Sequence, residues 1–295
     1  MLKSVIDTAK TKQPVALTGV FAHSYYWLTS SSGDKYYQNP SYRKKEQNSE
    51  PETAIYFIHG TADHSSAFER VAERLLQVGL PEEISSLNLI AFDQRYHGRS
   101  IEFFAEQLRD KIKTNQHQRV ILMAHSRGGL VASYFAEFLA GDVDVEVSWV
   151  ITVGTPFNGS YLAIKPLSWF SDSVREMEIN SEFLLQLKAK IIKNSSSHYH
   201  FFIATEDAIV PETSGYIEEY VANYPESLSA LDRHGHLSVM SSHRLVSQTA
   251  DLLHNYFHNL KYGAEVIVNK TGEFILIDDY FPDAAPSNGI PGTQL

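Results

Sequence analysis

Six short, nearly continuous apolar runs punctuate the middle of the chain: 54–58 (AIYFI), 87–93 (LNLIAFD), 119–124 (RVILMA), 147–153 (VSWVITV), 200–204 (HFFIA) and a weaker 228–231 (LSAL). Runs that do not alternate with polar residues read as strands covered on both faces. Between them the apolar period lengthens toward 3.6. Residues 66–79 are the clearest case: Phe68, Val71, Ala72, Leu75 and Leu76 make one stripe, Ser66 and Glu69 have capping-box spacing, and Gly79 then Pro81 end the helix. Segments 130–139 and 245–257 carry similar stripes. Strands alternating with helices predict βαβ units, hence an α/β fold with a mostly parallel central sheet and helices on both faces.

Strand-to-strand intervals run about 34, 32, 29, 50 and 28 residues, close to the βαβ unit of roughly 30 except for the fourth interval. That interval holds an insertion, at about 156–199, which belongs above the carboxyl ends of the strands where open α/β sheets bind ligands. It carries Tyr161, Leu162, Leu167, Trp169, Phe170, Phe183, Leu184 and Leu187, so it reads as a short apolar helical cap, with a merely longer crossover as the alternative. Segment 30–52 is polar and rich in turn residues and reads as an exposed loop. Near the other end, 265–279 (EVIVNKTGEFILIDD) shows two alternating runs around Lys-Thr-Gly, the pattern of a β-hairpin. Residues 1–263 are therefore expected to form the main domain, and 264–295 a hairpin extension with a loose tail.

The third run leads into Ala124-His125-Ser126-Arg127-Gly128-Gly129 and then a helical stripe. Strand, small-x-Ser-x-Gly, helix is the pattern of a nucleophile elbow: the turn is too tight for large side chains two positions either side of the serine. Gly128 and Gly129 let the helix approach the strand, and its N-terminus directs partial positive charge at Ser126. Composition narrows the chemistry. The chain has no cysteine, which excludes disulfides, zinc–thiolate sites and a cysteine nucleophile. The formal net charge of −10 argues against nucleic acid as the main partner. No zinc-protease helix motif, glycine-rich dinucleotide loop or P-loop occurs, Asp142 and Asp144 read as a solvated turn, and no metal or cofactor is expected. The first 27 residues lack the apolar core and cleavage site of a signal peptide, and no apolar run nears the roughly 20 residues of a membrane span. A cytoplasmic location is expected, with a mature secreted form left open. Oligomeric state is not legible.

Over roughly residues 54–260 the chain resembles the α/β-hydrolase superfamily. His59-Gly60 resembles its His-Gly oxyanion loop, and Asp93-Gln-Arg-Tyr-His-Gly-Arg-Ser100 its Asp-x-Arg-Gly-His-Gly-x-Ser turn, with Tyr96 where glycine is usual. Gly154-Thr-Pro-Phe-Asn-Gly-Ser160 resembles the Gly-Thr-Pro-His-x-Gly-Ser turn of the lipase-like branch, which includes triacylglycerol lipases and glycosylphosphatidylinositol-inositol deacylases; 177–184 (MEINSEFL) resembles a segment that follows there. The resemblance implies a nucleophile, acid, histidine order. Asp207, in Asp207-Ala-Ile-Val-Pro211, matches the acid's segment, with Glu206 and Asp232 as competitors. His236, in Gly235-His-Leu237, matches the histidine, with His234 as the alternative. Separations of 81 residues from Ser126 to Asp207 and 29 from Asp207 to His236 suit the fold. His59, His97 and His125 are explained by family turns and read as structural. The oxyanion hole needs two backbone N–H donors: Arg127, next to the nucleophile, and Thr61, or alternatively Ala62. Trp169 and Phe170 of the cap are expected to bind substrate. The implied function is a serine hydrolase of carboxylic esters, acting on a small-molecule acyl ester or lipid. A thioesterase or amidase, and a non-catalytic binding protein on the same fold, are the alternatives.

Overall fold

The computed structural model describes residues 16–44, 51–61, 63–94, 97–160, 171–195, 197–262, 267–268 and 274–275. Helix α1 (Ala16–Thr29) leads to strand β1 (Lys35–Gln38), and β2 (Thr53–Ile58) follows. Then come α2 (Glu69–Val78), β3 (Ile84–Ile90), α3 (Ile101–Thr114), β4 (Arg119–His125), α4 (Arg127–Tyr134) and β5 (Glu146–Val153). The chain continues through α5 (Asp172–Glu176), α6 (Glu182–Asn194), β6 (His198–Ala204), α7 (Glu218–Asn223), β7 (Leu228–Leu231) and α8 (His243–Tyr262). The sheet order is β1-β3-β2-β4-β5-β6-β7. Only β1 runs antiparallel, pairing Lys35 with Leu89 through Gln38 with Ser86, while the other six are parallel.

Every residue of β2 and β3 is buried, so alternation sorts side chains between two cores rather than between core and water. Tyr56 and Ile58 join Phe104, Leu108, Leu122, Leu130, Phe135 and Phe201 on one face. Ile55 and Phe57 join Phe68, Leu75, Met123, Trp149, Leu245 and Leu253 on the other. Helices cover both faces.

Several elements differ from what the pattern of the chain predicts. The Ser66/Glu69 capping box does not form. The chain enters α2 through a 3₁₀ turn, Ser65–Phe68, capped by His64, and the Glu69 carboxylate is drawn away to Lys35 Nζ at 2.7 Å and the Tyr37 hydroxyl at 3.3 Å. Segment 30–52 is not simply a loop, because it supplies β1, whose residues alternate between half-buried and exposed. Strand β3 starts three residues before the apolar run. Its early polar residues are buried but bonded: Ser85 Oγ donates to the Thr53 carbonyl at 3.2 Å, and Asn88 Nδ2 to that of Ile55 at 3.3 Å. Of the expected cap, 161–170 lie outside the described residues. In 171–195, Leu184, Leu187 and Ile191 of α6 pack into the first core, so this part is a crossover helix lying on the sheet. Two short strands, Ile267–Val268 and Phe274–Ile275, pair antiparallel within the expected hairpin; 276–295 lie outside the described residues.

Candidate active site

The site is built where β4 ends. Ser126 has φ 55° and ψ −130°, a backbone conformation that a non-glycine residue adopts only when its surroundings impose it. Two close approaches impose it here. A Cβ on Gly128 would lie 2.3 Å from the Ile58 carbonyl oxygen, and one on Gly129 would lie 1.9 Å from Thr155 Oγ1. Both glycines are required so that α4 can start directly against β2 and the 154–160 turn. The Ser126 N–H donates to the Val153 carbonyl at 2.9 Å, and Ala124, fully buried, takes the tight position two residues before the serine.

From the end of β6, Asp207 faces this serine through His236. His236 Nδ1 lies 2.7 Å from Asp207 Oδ2 and its Nε2 lies 2.9 Å from Ser126 Oγ. A carboxylate only accepts, so Nδ1 carries the proton and Nε2 of the neutral ring is left to accept from the serine hydroxyl. The second carboxylate oxygen is also answered: Oδ1 accepts from the Ile209 and Val210 N–H groups, both at 2.8 Å. The Asp207 side chain is 1% exposed and that of His236 8%. The loop carrying His236 is held in place by the Gly235 N–H donating to Ser238 Oγ at 2.8 Å and the Glu206 N–H donating to the His234 carbonyl at 2.9 Å.

The competitors are not brought to Ser126. His234 is fully buried, and burial with Arg244 and Arg233 nearby holds its pKa down. Glu206 is exposed, and exposed Asp232 meets Arg244 Nη1 at 3.4 Å. Asp142 and Asp144 sit exposed on a turn. Among the described residues no three His, Asp or Glu gather as a metal ion requires, and no helix is long and apolar enough to cross a membrane.

Arg127 opens α4, so its N–H has no acceptor within the helix. Its side chain turns away from the serine: Nη1 donates to Ser173 Oγ at 3.2 Å, the guanidinium lies 4.3 Å from the Phe104 ring centre, and burial lowers its pKa to about 10. The loop after β2 reaches the same place, since a Cβ on Gly60 would come within 3.0 Å of the Ser126 Cβ. Thr61 is exposed there. Ala62, Tyr96, Trp169 and Phe170 lie outside the described residues. His59 bonds its own turn, Nδ1 to the Gly60 carbonyl at 2.9 Å.

Three residues that sequence reading passes over as site groups frame these. His125 Nε2 lies 2.9 Å from the His236 carbonyl oxygen, and the two rings are 4.7 Å apart. Burial, then the neighbouring His236, lowers the His125 pKa to about 3, so this ring is neutral and serves as a donor to the loop. Asp63, three residues after Gly60, pairs with His23 of α1 at 3.1 Å, both side chains 7% exposed. Helix α1 packs on the 3₁₀ turns Ser65–Phe68 and Ser238–Ser241, so it touches the segments that follow both the Gly60 loop and His236. A contact across 40 residues leaves no signal in local spacing.

A parallel sheet with one antiparallel edge, helices on both faces and a serine elbow at a strand end define an α/β-hydrolase fold. The monoacylglycerol lipase of Paleococcus ferrophilus superposes with a TM-score of 0.52 over 77% of this chain and 98% of that one, at 13% identity. The mature lipase BlEst2 of Bacillus licheniformis gives 0.49 over 77% and 97%, at 17% identity. Residues 23–194 match the family described as Domain of unknown function (DUF7379), and the chain belongs to that family. The GPI inositol-deacylase of Candida albicans is 26% identical over 171 residues, half of this chain and 42% of the deacylase, which fits the lipase-like branch of the superfamily.

Proposed function

We propose that the protein is a serine hydrolase of carboxylic esters, with an acyl or lipid substrate. The observation that carries this is the unbroken contact from Ser126 Oγ through His236 to Asp207, at 2.9 and 2.7 Å. In this reading His236 takes the Ser126 proton as the oxygen attacks the ester carbonyl, Asp207 steadies the imidazolium, and the same proton passes to the departing alkoxide. The N–H groups of Arg127 and Thr61 face the oxyanion, and water then releases the acyl group from Ser126. The hydrolase names of the superposed proteins and of the distant deacylase support an ester over other acyl bonds, and Trp169 and Phe170 are assigned to the acyl chain. Labelling with a fluorophosphonate probe tests the assignment. Wild type should label and Ser126→Ala should not. Labelling that survives Ser126→Ala would overturn it.

A further inference from the structure

The corner between α1 and α2 holds a cationic pair that ester hydrolysis does not use. Arg70 and Arg74 stand one turn apart on α2, 3% and 8% exposed. Arg74 is bonded, with Nη1 donating to the Ser241 carbonyl at 3.1 Å and Nη2 3.0 Å from His243 Nε2. Arg70 is different, because its Nε, Nη1 and Nη2 are all buried without a hydrogen-bond acceptor. Burial, then the charge of Arg74, lowers its pKa to about 10, which leaves it charged at neutral pH. Only the Tyr26 ring and the charge of nearby Glu73 partly offset this, and buried donors left without hydrogen bonds are among the least favourable features a fold can retain. Arg70 also lines a cavity of about 310 Å³ shared with Tyr25, Tyr26 and Thr29 of α1 and with Glu73 and Arg74. The one carboxylate lining it, Glu73, receives the Tyr26 hydroxyl at 3.4 Å. Two guanidinium groups against one carboxylate leave the cavity net positive.

We propose that this cavity binds a phosphate group, free or as a phosphate monoester, with the Arg70 guanidinium, whose nitrogens are closed to water in this structure, turning into it as the forked donor and Arg74 as the second positive charge. The planar guanidinium presents paired donors to tetrahedral oxyanions. A dianion answers two cations where a carboxylate answers one, and the volume leaves room for a substituent on phosphorus. The site is independent of the ester reaction, so Ser126→Ala protein serves as well as wild type.

The test is a thermal-unfolding titration at constant ionic strength with inorganic phosphate, with glycerol 3-phosphate and with chloride as control, on wild type, Arg70→Met and Arg70→Lys. Phosphate should raise the wild-type midpoint saturably and chloride should not. Arg70→Lys, which keeps the charge and loses the fork, should weaken the apparent affinity at least tenfold. Arg70→Met should abolish the response and, without phosphate, melt no lower than wild type, because it removes buried donors left without hydrogen bonds. A glycerol 3-phosphate response equal to that of phosphate assigns the site to monoesters, and a response to inorganic phosphate alone assigns it to the free ion. The proposal is overturned if phosphate does no more than chloride, or if Arg70→Lys responds like wild type. Should Arg70→Met fail to fold, the lysine variant decides.

Discussion

Asp207 and Arg70 are both charged side chains taken out of water, and their surroundings are opposite. Asp207 is answered wholly from within the chain, by two backbone N–H groups and an imidazole. Arg70 has none of its three donors answered. The difference separates two uses of a buried charge. At the end of β6 the partners all come from the chain itself, so they hold His236 in one tautomer and orientation, as the proposed proton transfer requires. Between α1 and α2 the missing partner has to come from outside, as binding requires. Helix α1 borders both regions, through His23 on Asp63 and through Tyr26 and Thr29 on the cavity.

The largest effect that could break this comparison belongs to the strand-end site. Ser126→Ala or His236→Ala should lower kcat on a soluble ester by about 10⁴ or more with the fold intact. His234→Ala should stay within about tenfold, since that ring does not meet Ser126. Arg70→Met should leave kcat near wild type. Loss of turnover in His234→Ala with activity kept in His236→Ala would move the chemistry to the other histidine. Equal loss in Arg70→Met would merge the two regions.

Next in size is the rigidity of the elbow. Gly128→Ala would push a methyl against the Ile58 backbone, which cannot move without shifting β2, so about 3 kcal/mol of stability should be lost. Gly141 has open space around it, and Gly141→Ala should change the urea midpoint little. Similar midpoints for the two variants would mean that the close approach of α4 to β2 does not hold the serine.

Acid separates the two regions a third way. The His125 pKa falls from its ordinary 6.5 to about 3 in the folded chain. Between those values the unfolded chain takes a proton that the folded one refuses. The stability that His125 contributes is therefore complete above about pH 6.5 and is lost as pH falls toward 3, by at most roughly 1.4 kcal/mol per pH unit. His234 and His117 are shifted down as well, and Asp63 is held down by its bonds to His23, so the wild-type slope has the same sign from several sources. Urea midpoints from pH 7 to 4 should fall more slowly in His125→Asn than in wild type. Arg70→Met should keep the wild-type slope, because a group with a pKa near 10 does not titrate there. A His125→Asn slope equal to wild type would mean that the ring is not held neutral.

The strand-end site was legible because its requirements are local. A serine flanked by small residues after a buried run has few uses, and Asp207 and His236 lie in short segments that resemble those of the α/β-hydrolase superfamily. Helix α3 was equally open to reading, since Ile101, Phe104, Ala105, Leu108 and Ile112 form its buried stripe, although the run-by-run reading assigns it no helix. Strand β1 was not, because four residues at a sheet edge offer too short an alternation against polar surroundings. Nor could Ser66 be told from a helix cap: His64 takes the cap locally, and the claims of Lys35 and Tyr37 on Glu69 come from tertiary packing. The Arg70 cavity is the extreme case: two arginines four apart usually mark a solvated helix face, and only the packing of α2 against α8 and the Ser238–Ser241 turn, with α1 lining the cavity, makes them a buried pair.

The smallest effect per step concerns the acyl chain and depends on Trp169 and Phe170. Large apolar side chains gain roughly 1.5–3 kcal/mol each on burial, so the apolar residues of the expected cap need something to cover. Leu184 and Leu187 find it in the core; of the remaining cap residues, Trp169 and Phe170 are the pair assigned to substrate. If they line the acyl pocket, each added CH₂ contributes up to about 0.8 kcal/mol, and kcat/KM rises by up to roughly fourfold per carbon until the pocket is full. Trp169→Ala and Phe170→Ala should flatten that rise from butyrate upward while the rate on acetate esters stays near wild type. Suppose instead that wild type is indifferent to length from acetate to octanoate and these variants only melt earlier. Trp169 and Phe170 would then be packing residues like Leu184, and a small ester would replace the lipid as the substrate.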